Sequence, residues 1–112
     1  MSIHVDVYAL NYTLMNIQKE ENESKGRLVA KDGAKEMGEM TYSLANDGEL
    51  LIVDHTGVND EYKGQGVGKS LFEELVIITR KEGKKVMPLC PFTRAMFEKN
   101  RNQWDVLRHG SL

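Results

Sequence analysis

The chain has 112 residues, 40% hydrophobic and 29% charged, with a formal net charge of −2. That length suits one domain, residues 1–112, large enough to bury a core without staples. The charge balance argues against nucleic acid as a partner, no apolar run approaches the ~18 residues of a membrane span, and the opening residues lack the basic-then-apolar layout of a signal peptide, so the expected compartment is the cytoplasm.

Ile3 to Tyr8 alternates apolar and polar, as a half-exposed strand does. Glu20-Glu21-Asn22-Glu23-Ser24 reads as a polar loop. Met15 offers an alternative start, which would make residues 1–14 an extension. Gly26 to Lys31 reads as a strand, Asp32-Gly33 as a hairpin turn, and Lys35 to Leu44 as the antiparallel return. Asn46-Asp47-Gly48 marks a second turn. Leu50-Leu51-Ile52-Val53 opens a strand apolar on both faces, which suits the middle of a sheet. From Val67 the period becomes helical: Val67, Leu71, Leu75 and Ile78 share one face, widened by Phe72 and Val76. The helix runs to about Arg80, and Gly83 closes it. Lys84 to Leu89 reads as another strand, and Pro91 as position N1 of a final helix through about Asn100. Residues 101–112 form a tail of unassigned structure. The fold class is α/β (α+β): a mixed, mostly antiparallel sheet with a strand–helix–strand unit crossing over into parallel pairing, and helices on at least one face.

Asn59 to Gly68 joins the apolar strand to the amphipathic helix and carries Gly64, Gly66 and Gly68. A helix start offers unpaired N–H groups and partial positive charge, and glycines let a ligand approach them, so a phosphate is the natural occupant. Residues 57–112 hold 10 Lys/Arg against 7 Asp/Glu, whereas residues 1–56 hold 5 against 10. The second half thus favours an anion. Gly68-Lys69-Ser70 ends like a P-loop, but Lys63 stands where its first glycine belongs. Gly64 and Gly66 open a dinucleotide loop, but Lys69 stands where its third glycine belongs. A glycine-rich turn with no ligand is the plain alternative.

With Lys63-Gly64-Gln65-Gly66-Val67-Gly68 between a central strand and a helix, the chain resembles the GNAT superfamily of acyl-coenzyme A N-acyltransferases. The signature there is [RQ]-x-x-G-x-[GA], with Lys63 replacing Arg or Gln. The resemblance spans roughly residues 26–100. It implies an acetyl-coenzyme A co-substrate and an amine acceptor. The diphosphate would lie on Lys63, Gly64, Gln65, Gly66, Val67 and Gly68, with Lys69 beside them. The pantetheine arm would follow Thr56, Gly57 and Val58, in a gap between strands 49–58 and 84–89. The runner-up is an acyl-coenzyme A-binding or sensing module with little turnover. Two family features are altered. Met96-Phe97-Glu98-Lys99 matches the end of a family helix in which a tyrosine protonates the leaving thiolate, and Phe97 occupies that position. The family also places two helices between its first two strands, and about 25 residues before the Gly26 strand imply a fold truncated at its N-terminal side, with an open acceptor site.

The one cysteine, Cys90, precedes Pro91 at the expected N-cap of the last helix, where the dipole would favour its thiolate. Pro88-Leu89-Cys90-Pro91-Phe92, with Asp54-His55-Thr56 upstream, resembles a compact GNAT branch carrying this cysteine. Cys90 is a candidate acyl-accepting nucleophile, or else a small buried hydrophobe. Strict alternation puts His55 on one face with Leu51 and Val53, as a core histidine or as a base for Cys90 or the amine. Phe92, Phe97 and Trp104 read as core or tail packing. No metal is expected.

Overall fold

Every strand pairs with its neighbour in sequence, giving one six-stranded sheet in the order β1-β2-β3-β4-β5-β6. The strands are β1 (Ser2–Leu10), β2 (Thr13–Glu21), β3 (Lys25–Asp32), β4 (Lys35–Ala45), β5 (Leu50–Val58) and β6 (Lys85–Pro88). The first five run antiparallel, and β6 lies parallel to β5 after a helical crossover. The helices are α1 (Val67–Glu82) and α2 (Pro91–Lys99). This computed structural model describes residues 2–10 and 13–112, with side chains from residue 15 onward. The side-chain alternation expected over Ile3–Tyr8, and the His4 imidazole, lie outside the described residues. None of the described helices is long and apolar enough to cross a membrane.

The strand β2 corrects the loop expected at Glu20–Ser24. Its inward positions are Met15, Ile17, Lys19 and Glu21, and two of these are charged. Lys19 is 7% exposed, and its Nζ lies 3.1 Å from Glu82 of α1. The Tyr42 hydroxyl donates to Glu21 Oε1 at 2.8 Å. Burial and that bond push the Tyr42 phenol far above its ordinary value, so it remains a donor. The strand looks polar in sequence because its inward charges find partners from elements far along the chain. The turn itself is only Asn22–Ser24, where Asn22 Oδ1 accepts the N–H groups of Ser24 and Lys25 at 2.9 and 2.9 Å. No helix separates β2 from β3, in line with the truncation expected from the resemblance.

Val67, Leu71, Phe72, Leu75, Val76 and Ile78 of α1 are all buried. They join Met40, Tyr42, Leu51 and Val53 of the sheet in one core cluster. Each such side chain contributes roughly 1.5–3 kcal/mol by burial. From α2, Phe97 is fully buried and meets the Phe72 ring edge-on, with centroids 4.9 Å apart. The tail continues as a 3-10 turn, Arg101–Val106, that buries Val106. The Trp104 indole donates to Phe97 O at 2.7 Å, and Leu107 bridges to Val86.

A bulge in β5 decides which side chains reach the gap beside it. Tyr42 pairs with Val53 and Thr41 with His55, which leaves Asp54 as an extra residue. Alternation restarts one residue late. His55 therefore leaves the face of Leu51 and Val53, contrary to the strict alternation expected, and is exposed on the other side. Thr56, paired with the buried Met40, takes the core-side position instead.

Candidate active site

The β5–β6 ladder ends where Val53 pairs with Pro88. The N–H groups of Leu89 and Cys90 both donate to Val53 O, at 2.9 and 2.9 Å, and the chain then turns into α2. Strand β5 continues to Val58 with only β4 beside it. A gap opens between the last residues of β5 and α2. It continues into a cleft of about 530 Å³ lined by Thr56, Gly57, Val58, the glycine loop and the Phe92 ring.

At one end of the cleft stands the start of α1. Gly66 is its N-cap, at φ 82° and ψ 17°, a left-handed conformation that favours glycine, and no side chain caps the helix. Among the described residues, the N–H groups of residues 64–69 donate to no backbone carbonyl; the next, from Ser70, donates to Gly66 O at 3.0 Å. These free donors, with the helix dipole behind them, have the chemistry an anion requires and stand at the mouth of the gap. The fit to a diphosphate therefore rests on main-chain atoms. A Cβ at Gly68 would lie 2.9 Å from Phe92 Cζ, so the missing side chain lets that ring close the cleft wall. Lys69 is exposed at the rim. Lys63 is less available, because its Nζ pairs with Asp60 at 2.9 Å and holds that carboxyl below its usual range. The Gln65 amide donates to Glu61 O at 3.3 Å, which steadies the loop.

Cys90 adjoins the cleft as the N-cap of α2. It is 4% exposed, and its Sγ lies 3.4 Å from Thr56 Oγ1. Thr56 Oγ1 is in turn 3.5 Å from Thr93 Oγ1. Burial pushes the thiol up, but hydrogen bonds from Thr56, Thr93 and the Phe92 N–H outweigh it and hold Cys90 below its ordinary value. His55 is on the opposite face and is not among these partners; its ring folds beside Gly57, where an added Cβ would lie 2.9 Å from Nε2. The bulge thus separates the imidazole from the thiol for which it was one candidate base. Phe97, at the family's tyrosine position, is core.

The sequence reading missed two residues of this site. Phe92 reads as packing in the sequence, yet its ring lines the cleft. Thr93 carries no local signal; only the fold brings its hydroxyl to 3.5 Å from that of Thr56.

A GCN5-related N-acetyltransferase family model matches residues 27–107. The solution structure of a GCN5-like protein from Staphylococcus aureus is similar at 35% identity and TM-score 0.57, over 82% of this chain and 91% of that one. A GNAT-family crystal structure from Desulfovibrio desulfuricans shares the fold at 17% identity and TM-score 0.54, over 68% of this chain and 54% of that one. No match is found among curated proteins. This chain belongs to the GCN5-related N-acetyltransferase family and is an acyltransferase.

Proposed function

We propose that this chain transfers the acetyl group of acetyl-coenzyme A to an amine, with Cys90 carrying the group between donor and acceptor. The observation that carries this reading is the cleft itself. It is lined by unpaired main-chain donors at the start of α1 and by Thr56, whose hydroxyl lies 3.4 Å from Cys90 Sγ. The amides of residues 64–69 bind the diphosphate, and Thr56–Val58 line the pantetheine arm.

Cys90 Sγ, as thiolate, attacks the acetyl carbonyl carbon. The carbon–sulfur bond to coenzyme A breaks, and the departing thiolate takes a proton from solvent. The acceptor nitrogen then attacks the acetyl-cysteine, the bond to Sγ breaks, the amine loses its proton, and the Cys90 thiolate is restored. The buried Phe97 ring has no proton to give, so the second step depends on a leaving group already stabilised as an anion. The amine gives its proton to solvent, because His55 lies on the sheet face opposite Cys90. A working thiol requires a reducing compartment, which the cytoplasm supplies.

Intact-mass measurement after incubation with acetyl-coenzyme A tests this. Wild type gains one acetyl group, Cys90→Ser gains none, and His55→Ala still gains it. Full amine turnover by Cys90→Ser would sink the cysteine step while leaving the transferase intact.

A further inference from the structure

The bulge at Asp54 removes His55 from Cys90 and turns Thr56 toward it. One hydroxyl, from β5, then meets the sulfur, and a second, from the first turn of α2, meets that hydroxyl. Thr56 Oγ1 lies 3.4 Å from Sγ, and Thr93 Oγ1 lies 3.5 Å from Thr56 Oγ1. Thr93 is fully buried at 0% exposure, and Cys90 is 4% exposed, so water contributes little to solvating a charge on sulfur. A thiolate in so dry a place requires donors supplied by the protein.

We infer that Thr56 and Thr93 are the positioning residues of this site: a hydroxyl pair that holds Cys90 as the reactive thiolate by hydrogen bonding alone, with no base among the described residues to take its proton. In the neutral state the Cys90 S–H donates to Thr56. When the thiol ionises its proton leaves to water, and the Thr56 and Thr93 hydroxyl hydrogens turn toward sulfur, beside the Phe92 and Thr93 N–H groups at the start of α2. Neither hydroxyl gains or loses a proton overall. The assignment rests on Cys90 being the acyl carrier, but it concerns the free protein and can be read without any substrate.

The other ionisable groups on the packed elements do not explain the thiol. Asp54 and His55 of β5 are exposed on the far side of the bulge, and Lys85 of β6 and Arg94 of α2 are exposed. Glu74 of α1 is buried. None of them is among the leading influences on Cys90, which are its burial and the hydrogen bonds from Thr56, Thr93 and Phe92.

The chain has one cysteine, so ultraviolet titration of thiolate absorbance, taken as a difference against Cys90→Ser, reports this sulfur alone. Thr56→Val and Thr93→Val each move the midpoint up by about one pH unit, the effect of losing one hydrogen bond to a charged group. Thr56→Ser restores the wild-type midpoint. Thr56→Ala, at a half-exposed position, shifts as Thr56→Val does and serves if a valine variant fails to fold. Midpoints that overlay wild type in folded Thr56→Ala would overturn the assignment. Loss of the acetyl adduct with an unchanged wild-type midpoint would count against the cysteine step and leave the hydroxyl pair standing.

Discussion

Gly68 shows how a single missing atom shapes this site. Its φ is ordinary, so its value is space: a methyl there would stand 2.9 Å from the Phe92 ring, tighter than a van der Waals contact allows. Gly68→Ala forces Phe92 outward, and such overpacking costs about 1–3 kcal/mol. The cleft wall moves with the ring, so we expect acetyl-coenzyme A affinity to fall by about tenfold, or 1.4 kcal/mol. Calorimetric titration checks this, and an unchanged dissociation constant would mean the ring does not shape the cleft. The motif shows three glycines and cannot say that one serves a helix cap and another a neighbouring ring. The charge at Lys63 was also legible as a flanking cation, but its partner Asp60 was not, although only three residues separate them.

Strands depend on partners that no local pattern displays. Arg27 of β3 reaches Glu20 of β2 at 3.1 Å, and Glu36 and Glu39 of β4 at 3.0 and 3.2 Å. It ties three strands together on the uncovered face. Its side chain is 28% exposed, so each pair is worth less than about 1 kcal/mol, and all weaken with salt. Arg27→Ala also leaves three carboxylates facing one another. We expect a loss of about 1–2 kcal/mol at low salt, by urea denaturation, shrinking as salt rises. A salt-independent loss would point to the packing of the Arg27 stem instead. The helices were legible because their apolar spacing survives in the structure: Val67, Leu71, Leu75 and Ile78 are all buried. β2 was not, because Lys19 is matched by Glu82, sixty-three residues away. The β5 bulge was equally hidden, since Asp54 differs from its neighbours only in its pairing with β4.

At the scale of the whole molecule, the hairpin turn at Asn22–Ser24 replaces any covering helices between β2 and β3. The sheet carries α1 and α2 over a single core cluster, and the unpaired amides at the start of α1 sit at the edge of that layer. Ligand binding should therefore couple to the stability of the entire fold. Coenzyme A at a hundredfold excess over its dissociation constant adds about 2.7 kcal/mol, which for a domain of this size raises Tm by about 10 °C. Thermal unfolding with coenzyme A and with ATP checks this. An equal rise with ATP would mean that the cleft reads phosphate alone, without the pantetheine arm.

The sequence by itself determined the glycine loop, the helix that follows it, the parallel strand after that, and the N-cap position of Cys90, because each depends on residues within one turn or one strand of each other. Tertiary structure alone decided that β2 is a strand, that His55 faces away from the thiol, and that Thr56 faces it with the Thr93 hydroxyl beside. Those outcomes depend on pairing and burial between distant segments: an inward charge is tolerated only where a partner arrives, and the phase of a strand depends on the register its neighbour imposes.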